Sequence, residues 1–301
     1  MTLAVPLPER DLRGYVLVFF AGVLWSTVGL GIRLIDEAQV WQILFYRSIS
    51  MSLLLFIVIR LRTGTSPITL ALRMGWPGVI GGLSLVAAYT GGIYSVQTTS
   101  VANAMMLFAS APLMAAILGR LILRESVRPA TWVAIALASI GIAIMVWDKS
   151  SGAALRGNLA AIGSALGFAC FTITLRWGKA TEMMPAVFLS GLFAIVIMGA
   201  ICLALGLGFT LSPNDTGISL GMGVFQVGAG LILYTIGSKT VPAAELTLLS
   251  LAEVVLGPVW VWLVLGETAT PNTLIGGAVL LTAIAGNALS GARRRPPPPM
   301  V

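Results

Sequence analysis

The stretch that decides the fold is Leu265-Gly266-Glu267-Thr268-Ala269-Thr270-Pro271, because the chain carries the same pattern at Leu123-Arg124-Glu125-Ser126-Val127-Arg128-Pro129. In both copies a Glu follows a long apolar run, and a Pro four residues later opens the next run. Proline is favoured in the first turn of a helix, so local capping alone explains a single copy. Capping does not explain the same spacing in each half. The pattern therefore predicts an internal repeat.

The runs around these junctions are long enough to cross a membrane. The chain is 57% hydrophobic and 10% charged, whereas about a quarter of an average soluble domain is charged. A membrane helix needs about 20 mostly apolar residues. Ten runs qualify: 14–35, 38–59, 76–96, 101–123, 130–147, 157–177, 185–207, 217–238, 243–265 and 272–290. The sequence predicts an all-α integral membrane protein with ten transmembrane helices.

The basic residues orient these spans. With the N-terminus in the cytoplasm, 14 of the 18 Lys and Arg residues fall inside and three outside, and Arg47 lies within the second span. Cytoplasmic loops of membrane proteins carry an excess of Lys and Arg. We therefore predict that both termini are cytoplasmic. The net charge of +7 then reflects topology and contact with anionic lipids rather than nucleic-acid binding.

Each predicted repeat holds five spans, and an odd number turns the second copy upside down. The first junction is rich in Arg and the second has none, as expected for loops on opposite faces. Inverted repeats allow alternating access to one central site. The predicted organisation is a cytoplasmic segment 1–13, a first five-helix repeat 14–147, an external linker 148–156, an inverted repeat 157–290 and a disordered cytoplasmic tail 291–301.

Several functional classes are disfavoured by what the sequence lacks. It has no His, and it has no phosphate-binding loop of the GxxxxGK[ST] type. Cys170 and Cys202 lie in apolar runs without a motif around them. We therefore expect no cofactor, no metal, no catalytic residues and no ATP hydrolysis by the chain itself, and the sequence shows no sign of an ATPase subunit.

Polar groups are costly in hydrocarbon, so a polar helix face usually turns to a cavity or a partner. Aromatic rings in such a cavity stack planar cargo or meet ammonium groups. Candidate lining residues on such faces are Trp25, Ser26, Tyr89, Thr90, Tyr94, Asn103, Phe108, Ser110, Phe168, Thr174, Gln226, Tyr234, Thr247 and Ser250. We interpret the other Trp residues as anchors at the membrane interface: Trp41, Trp76, Trp132, Trp147, Trp260 and Trp262.

Two charged residues fall inside predicted spans. Glu253 lies in the middle of the ninth span, where it is either a coupling or ammonium-binding carboxylate or a structural one. Its counterpart in the first half is Ala111. Arg47 lies about a turn and a half inside the second span. We favour snorkelling to the interface for Arg47 over the alternative, a cation presented to the carboxylate of a substrate.

From its junctions and its five-plus-five duplication, the chain resembles the drug/metabolite transporter superfamily of the EamA type. The resemblance extends from about Gly14 to Ser290, and only Arg124 departs from the family pattern, which usually has Gly there. It implies that the first, third, fourth, sixth, eighth and ninth helices surround a central cavity, and that the protein lies in a bacterial-type inner membrane.

The resemblance implies a secondary transporter that exports small metabolites. We expect aromatic or neutral amino acids as the cargo, because phosphate-bearing substrates need more buried cations than this chain offers. Alternatives are a facilitative or proton-coupled carrier of drugs or of other metabolites, such as sugar phosphates. An integral-membrane enzyme or a receptor is the more remote alternative.

Overall fold

The computed structural model describes residues 12–147, 152–179 and 183–292, without the side chains of residues 243, 244 and 292. Within these ranges every regular element is a helix. Ten stretches are long and apolar enough to cross a membrane, which confirms the predicted number. We call them spans 1 to 10: Leu12–Arg33, Val40–Thr63, Gly75–Thr98, Val101–Ile122, Pro129–Trp147, Gly152–Trp177, Met184–Ala204, Pro213–Gly237, Glu245–Leu265 and Pro271–Gly291.

The helices that contain spans 9 and 10 are slightly longer, running over Ala243–Leu265 and Pro271–Ala292. A short helix, Pro67–Arg73, joins spans 2 and 3 and was not predicted. The predicted disordered tail lies almost wholly outside the described residues, as does most of the predicted N-terminal segment and the first part of the predicted linker. Span 6 begins at Gly152, earlier than the predicted start at residue 157.

Two spans that were predicted to be continuous are broken near their middle. Span 1 consists of helices Leu12–Ser26 and Val28–Arg33. Ser26 and Thr27 direct their hydroxyl groups back to the carbonyls of Val23 and Leu24, at 2.7 and 2.6 Å, a bonding pattern that bends helices.

Span 4 consists of helices Val101–Phe108 and Ala111–Ile122. Pro112 causes this break, because a proline cannot donate to the carbonyl four residues earlier, that of Phe108, and its ring clashes with it. Span 8 is also irregular, since a π-helical segment, Met222–Ala229, separates the α-helices Pro213–Gly221 and Gly230–Gly237.

The spans pack so that the two repeats interlock. Span 1 of the first repeat packs on spans 8 and 9 of the second, whereas span 6 of the second repeat packs on spans 3 and 4 of the first. We call spans 1, 8 and 9 unit A, and spans 3, 4 and 6 unit B. Span 2 packs on span 7 and span 5 on span 10, each pair joining equivalent helices of the two repeats. Each unit is therefore built from both halves of the sequence.

The two junctions have the same backbone conformation. The amide of Glu125 donates to the carbonyl of Gly119 at 3.1 Å, and the amide of Glu267 donates to the carbonyl of Val261 at 3.2 Å. The residue before each Glu is left-handed, with φ of 56° at Arg124 and 69° at Gly266. This αL closure satisfies carbonyls at the end of the helix. The repeat predicted from the junctions is thus present in local geometry as well as in sequence.

Candidate substrate cavity

A cluster of aromatic rings and one carboxylate lies between the three spans of unit A. The rings of Trp25 and Tyr234 are 5.3 Å apart and tilted by 40°. Glu253 lies within electrostatic range of the Tyr234 hydroxyl. Spans 1 and 9 approach closely at this level, since a Cβ on Gly22 would lie 3.8 Å from the backbone nitrogen of Glu253. The packing brings together three residues from distant parts of the sequence.

Glu253 is partly exposed although it lies in the middle of span 9 and faces two neighbouring spans. Among the described residues, no cation lies within 4 Å of its carboxylate and no side chain or backbone group donates a hydrogen bond to it. A carboxylate at this depth is costly unless it has a partner. The described residues thus leave this carboxylate without a counter-ion or a hydrogen-bond donor.

Gln226 joins this cluster from the π-helical segment. Its Nε2 donates to the carbonyl of Trp25 at 3.4 Å, while its Oε1 is buried without a partner among the described residues. π-Helical turns occur frequently at functional sites because they reorient side chains relative to an α-helix. Here the segment places a spare acceptor beside the rings.

Trp260 closes the cluster towards the end of span 9, and its prediction as an interface anchor was wrong. Its indole Nε1 donates to Oγ of Ser26 at 2.8 Å, and Ser26 is fully buried. Indole nitrogens seek a partner when they are buried. The sequence did carry a signal, since Glu253, Gly257 and Trp260 share one helix face at i, i+4 and i+7 spacing.

Unit B contributes a second set of aromatic residues. The rings of Phe108 and Phe168 lie 5.6 Å apart in an edge-to-face arrangement, between the break of span 4 and span 6. Tyr89 on span 3 is partly exposed and carries the guanidinium of Arg47 over its ring, 4.5 Å from the centroid. Arg47 is only 5% exposed, so the snorkelling that we favoured from the sequence was wrong.

The remaining candidate residues divide by burial. Asn103, Ser110 and Thr174 are buried, with side chains hydrogen-bonded inside the protein. Thr90 and Ser250 are partly exposed and donate to carbonyls of their own helices, at 2.8 and 2.9 Å. Tyr94 is partly exposed, and its side chain makes no hydrogen bond to a neighbouring span within the described residues. Thr247 is also partly exposed.

One end of the bundle, which we call the Arg33 end, is closed by polar contacts between the units. Arg33 pairs with Glu267 at 2.8 Å and donates to the carbonyl of Thr99 at 2.8 Å. Glu267 also accepts from the backbone amide of Val101, at the start of span 4, at 2.8 Å. The positive end of a helix dipole favours such a carboxylate.

A cavity of about 370 Å³ lies on the outer side of this ion pair, lined by Ile32, Arg33, Ile35, Asp36, Glu37, Ala38, Gln39 and Gln97. Its rim is held by Asp215 at the start of span 8, which accepts from the backbone amides of Asp36, Glu37 and Ala38 at 2.8 to 3.1 Å. Arg33 therefore takes part both in the contacts between the units and in the lining of this polar recess.

At the opposite end, the Arg176 end, one ion pair and one hydrogen bond run within the units. Arg176 pairs with Glu125, which joins spans 6 and 4. Tyr15 donates to Glu245, which joins spans 1 and 9. The Arg176–Glu125 pair is also more exposed, at 48% and 37%, than the Arg33–Glu267 pair, at 27% and 23%. The two ends are thus built alike but closed to different extents.

Ten spans in two interlocked inverted repeats, with polar and aromatic side chains grouped within each unit, define a membrane transporter. The chain belongs to the EamA-like transporter family, whose model matches residues 12–147 and 155–289.

The chain is 26% identical over 281 residues to the Bacillus subtilis protein described as "Uncharacterized transporter YwfM", covering 89% of this chain and 90% of that protein. It is 28% identical over 151 residues to "Uncharacterized transporter PA0485" of Pseudomonas aeruginosa, covering 46% of this chain and 48% of that protein. A solved crystal structure superposes with a TM-score of 0.67 at 19% identity, covering 95% of this chain and all of the other (100%). That likeness confirms the fold.

Proposed function

We propose that this protein is a secondary transporter that exports small metabolites, with aromatic and neutral amino acids as its cargo. The observation that carries the proposal is the carboxylate of Glu253, which has no partner among the described residues and lies within electrostatic range of the tilted Trp25–Tyr234 ring pair. A carboxylate attracts an ammonium group, and aromatic faces bind both ammonium groups and planar side chains. An aromatic amino acid presents both chemical features.

Alternating access follows from how the units meet. At the Arg33 end they are linked by Arg33, Glu267 and the Thr99–Val101 backbone, and Met105 of span 4 packs on Gly257 of span 9. At the Arg176 end the ion pair and the Tyr15–Glu245 bond stay inside units B and A. In the proposed cycle, unit A rocks against unit B, so that the cavity opens at one end while the other is sealed.

The proposed orientation places the Arg33 end outside and the Arg176 end in the cytoplasm of a bacterial inner membrane. It is supported by the bias of basic residues in the sequence. With the Arg33 end sealed, the state described here is one that receives cargo from the cytoplasm, as an exporter requires. Membrane lipids and the small-molecule cargo are the proposed partners.

Counterflow in liposomes tests the proposed cargo. Purified protein is reconstituted into vesicles loaded with unlabelled phenylalanine, tryptophan or threonine, and uptake of the labelled compound is followed with and without a pH gradient. We expect transient accumulation, larger for the two aromatic amino acids. Lack of accumulation for all three compounds would remove this cargo class. A rate that responds to the pH gradient indicates proton coupling, and an indifferent rate indicates facilitated diffusion.

A further inference from the structure

Arg47 is a buried cation that the closure of the bundle does not explain. It lies two turns inside span 2, and its side chain is 5% exposed. A guanidinium in the hydrocarbon layer is costly and usually pairs with another group or lines a pathway. By contrast, Arg33 and Arg176, which form ion pairs with carboxylates in the described chain, lie at the ends of their spans. Because Arg47 lies deep in its span, its charge requires an anionic partner inside the protein.

Within the described ranges, the protein does not supply that anion. No carboxylate lies within 4 Å of the Arg47 guanidinium, and no backbone or side-chain oxygen accepts a hydrogen bond from it. The guanidinium nitrogens also do not belong to the side-chain atoms that are both fully buried and without a hydrogen-bond partner. Because these nitrogens also lack a partner, the small residual exposure of the Arg47 side chain includes its guanidinium.

Tyr89 holds the guanidinium in place without using its donors. The central carbon of the Arg47 guanidinium lies over the Tyr89 ring, 4.5 Å from its centroid. The attraction is between a cation and the negative face of the ring, which leaves the N–H groups at the edge of the guanidinium unused. Two parallel N–H groups match the two oxygens of a carboxylate.

The second repeat presents the opposite charge beside the matching tyrosine. Tyr234 is the repeat counterpart of Tyr89, since Tyr89-Thr90 recurs as Tyr234-Thr235 once a three-residue gap is allowed between the halves. Tyr234 lies within electrostatic range of Glu253. The repeat counterpart of Glu253 is the neutral Ala111, so the two charges are not copies of one another. The first repeat therefore offers a cation beside its tyrosine, and the second an anion beside the equivalent tyrosine.

We propose that the Arg47 guanidinium, held on the Tyr89 ring, binds the carboxylate of the cargo. This inference rests on the proposed function and deepens it, because it names the group that binds the carboxylate of the amino-acid cargo. A single guanidinium suits a carboxylate better than a phosphate dianion, which needs several donors or cations.

Three matched ligands distinguish recognition of the carboxylate from recognition of the ammonium group. They are phenylalanine, 3-phenylpropionate, which lacks the ammonium group, and phenethylamine, which lacks the carboxylate. Binding to purified protein is measured by calorimetry. We expect Arg47→Gln to weaken phenylalanine and 3-phenylpropionate by about 30-fold or more, and phenethylamine by less than about twofold. Arg47→Lys keeps the charge but not the paired donors, so we expect a loss of about tenfold. Glu253→Gln is the matched control, and should weaken phenethylamine and spare 3-phenylpropionate.

A second pair of variants covers the case in which Arg47→Gln does not fold. Tyr89→Phe keeps the ring face and should bind 3-phenylpropionate as the wild type does. Tyr89→Leu removes the face while Arg47 keeps its charge, and we expect it to weaken 3-phenylpropionate by about fivefold. Equal binding of 3-phenylpropionate by Tyr89→Leu and Tyr89→Phe would overturn the proposal.

The outcomes separate this inference from the proposed function. If phenylalanine accumulates in counterflow while Arg47→Gln changes binding of no ligand, or of all three equally, the cargo stands and the role of Arg47 is overturned. If 3-phenylpropionate binding depends on Arg47 but no amino acid accumulates, the carboxylate site stands and the cargo class fails. If the wild type binds neither carboxylate, the role of Arg47 is overturned.

Discussion

Arg33 and Glu267 join the first span of one repeat to the junction of the other, and Arg176 and Glu125 form the same pair with the halves exchanged. The pairs lie at opposite ends of the bundle. They differ in what else they hold, because in the described chain only Glu267 also accepts from the start of span 4 in the other unit. This asymmetry distinguishes the sealed end from the other one.

We therefore expect Glu267→Gln to open the Arg33 end. The amide keeps one acceptor for the Val101 amide but loses the charge that attracts Arg33 and the helix terminus. In a background without Cys170 and Cys202, labelling of Thr90→Cys by an impermeant maleimide from the Arg33 side should become about three to ten times faster. Glu125→Gln is the matched control and should not raise this rate. Equal acceleration by both variants would mean that the Arg33 pair is not the seal.

The left-handed residue at each junction predicts opposite effects of two substitutions on stability. Arg124 adopts φ of 56° and is exposed, whereas Gly266 occupies the same place with φ of 69°. A side chain costs about 1 kcal/mol in this conformation. We expect Arg124→Gly to raise the midpoint of thermal unfolding by about 1–3 °C and Gly266→Ala to lower it by a similar amount. A lower midpoint for Arg124→Gly would show that its side chain stabilises the junction in another way.

The junctions also show why the fold could be predicted so fully from the sequence. A Glu with a Pro four residues later marks the connection between the fourth and fifth spans of each repeat. Span length and charge bias are properties of local composition. The closure of both helices at Glu125 and Glu267 follows from the same short motif. Ten spans and their inverted pairing therefore needed no tertiary information.

The candidate site was less predictable, because it depends on how faces meet. The face of span 9 around Glu253 was visible at helical spacing, but the inward direction of Arg47 depends on the Tyr89 ring in another span. Trp260 was missed since an interface anchor and a buried indole look the same in sequence until its partner, Ser26, is known. The helix breaks were also only partly predictable. Pro112 is visible in the sequence, whereas the break at Thr27 comes from side-chain hydrogen bonds to backbone carbonyls that the sequence does not specify.

If transport is coupled to protons, Glu253 is the residue at which the coupling is expected. Glu253→Gln keeps the size and polarity of the side chain but removes its ability to exchange a proton. We expect the variant to exchange labelled phenylalanine in counterflow at a reduced rate that no longer responds to a pH gradient. Glu245→Gln changes a carboxylate bonded to Tyr15 near the end of the same helix, and should keep the response. Unchanged rates and pH response in Glu253→Gln would make this Glu structural.

The ring pair of Trp25 and Tyr234 predicts a preference among amino acids. The two rings lie 5.3 Å apart and are both partly exposed, so a planar cargo side chain can pack against them. Ring contacts contribute about 0.5–1.5 kcal/mol beyond burial. We expect Tyr234→Leu to raise the KM for phenylalanine by about three- to tenfold and to leave the KM for threonine nearly unchanged.

Two further variants of span 8 sharpen this test. Tyr234→Phe keeps the ring and should behave nearly as the wild type, which separates stacking from any role of the hydroxyl near Glu253. Phe225→Leu removes a ring from the same span that is 67% exposed on the outside of the bundle, and should change neither KM. If Phe225→Leu and Tyr234→Leu raise the KM for phenylalanine equally, the effect comes from helix packing, and the aromatic pair does not select the cargo.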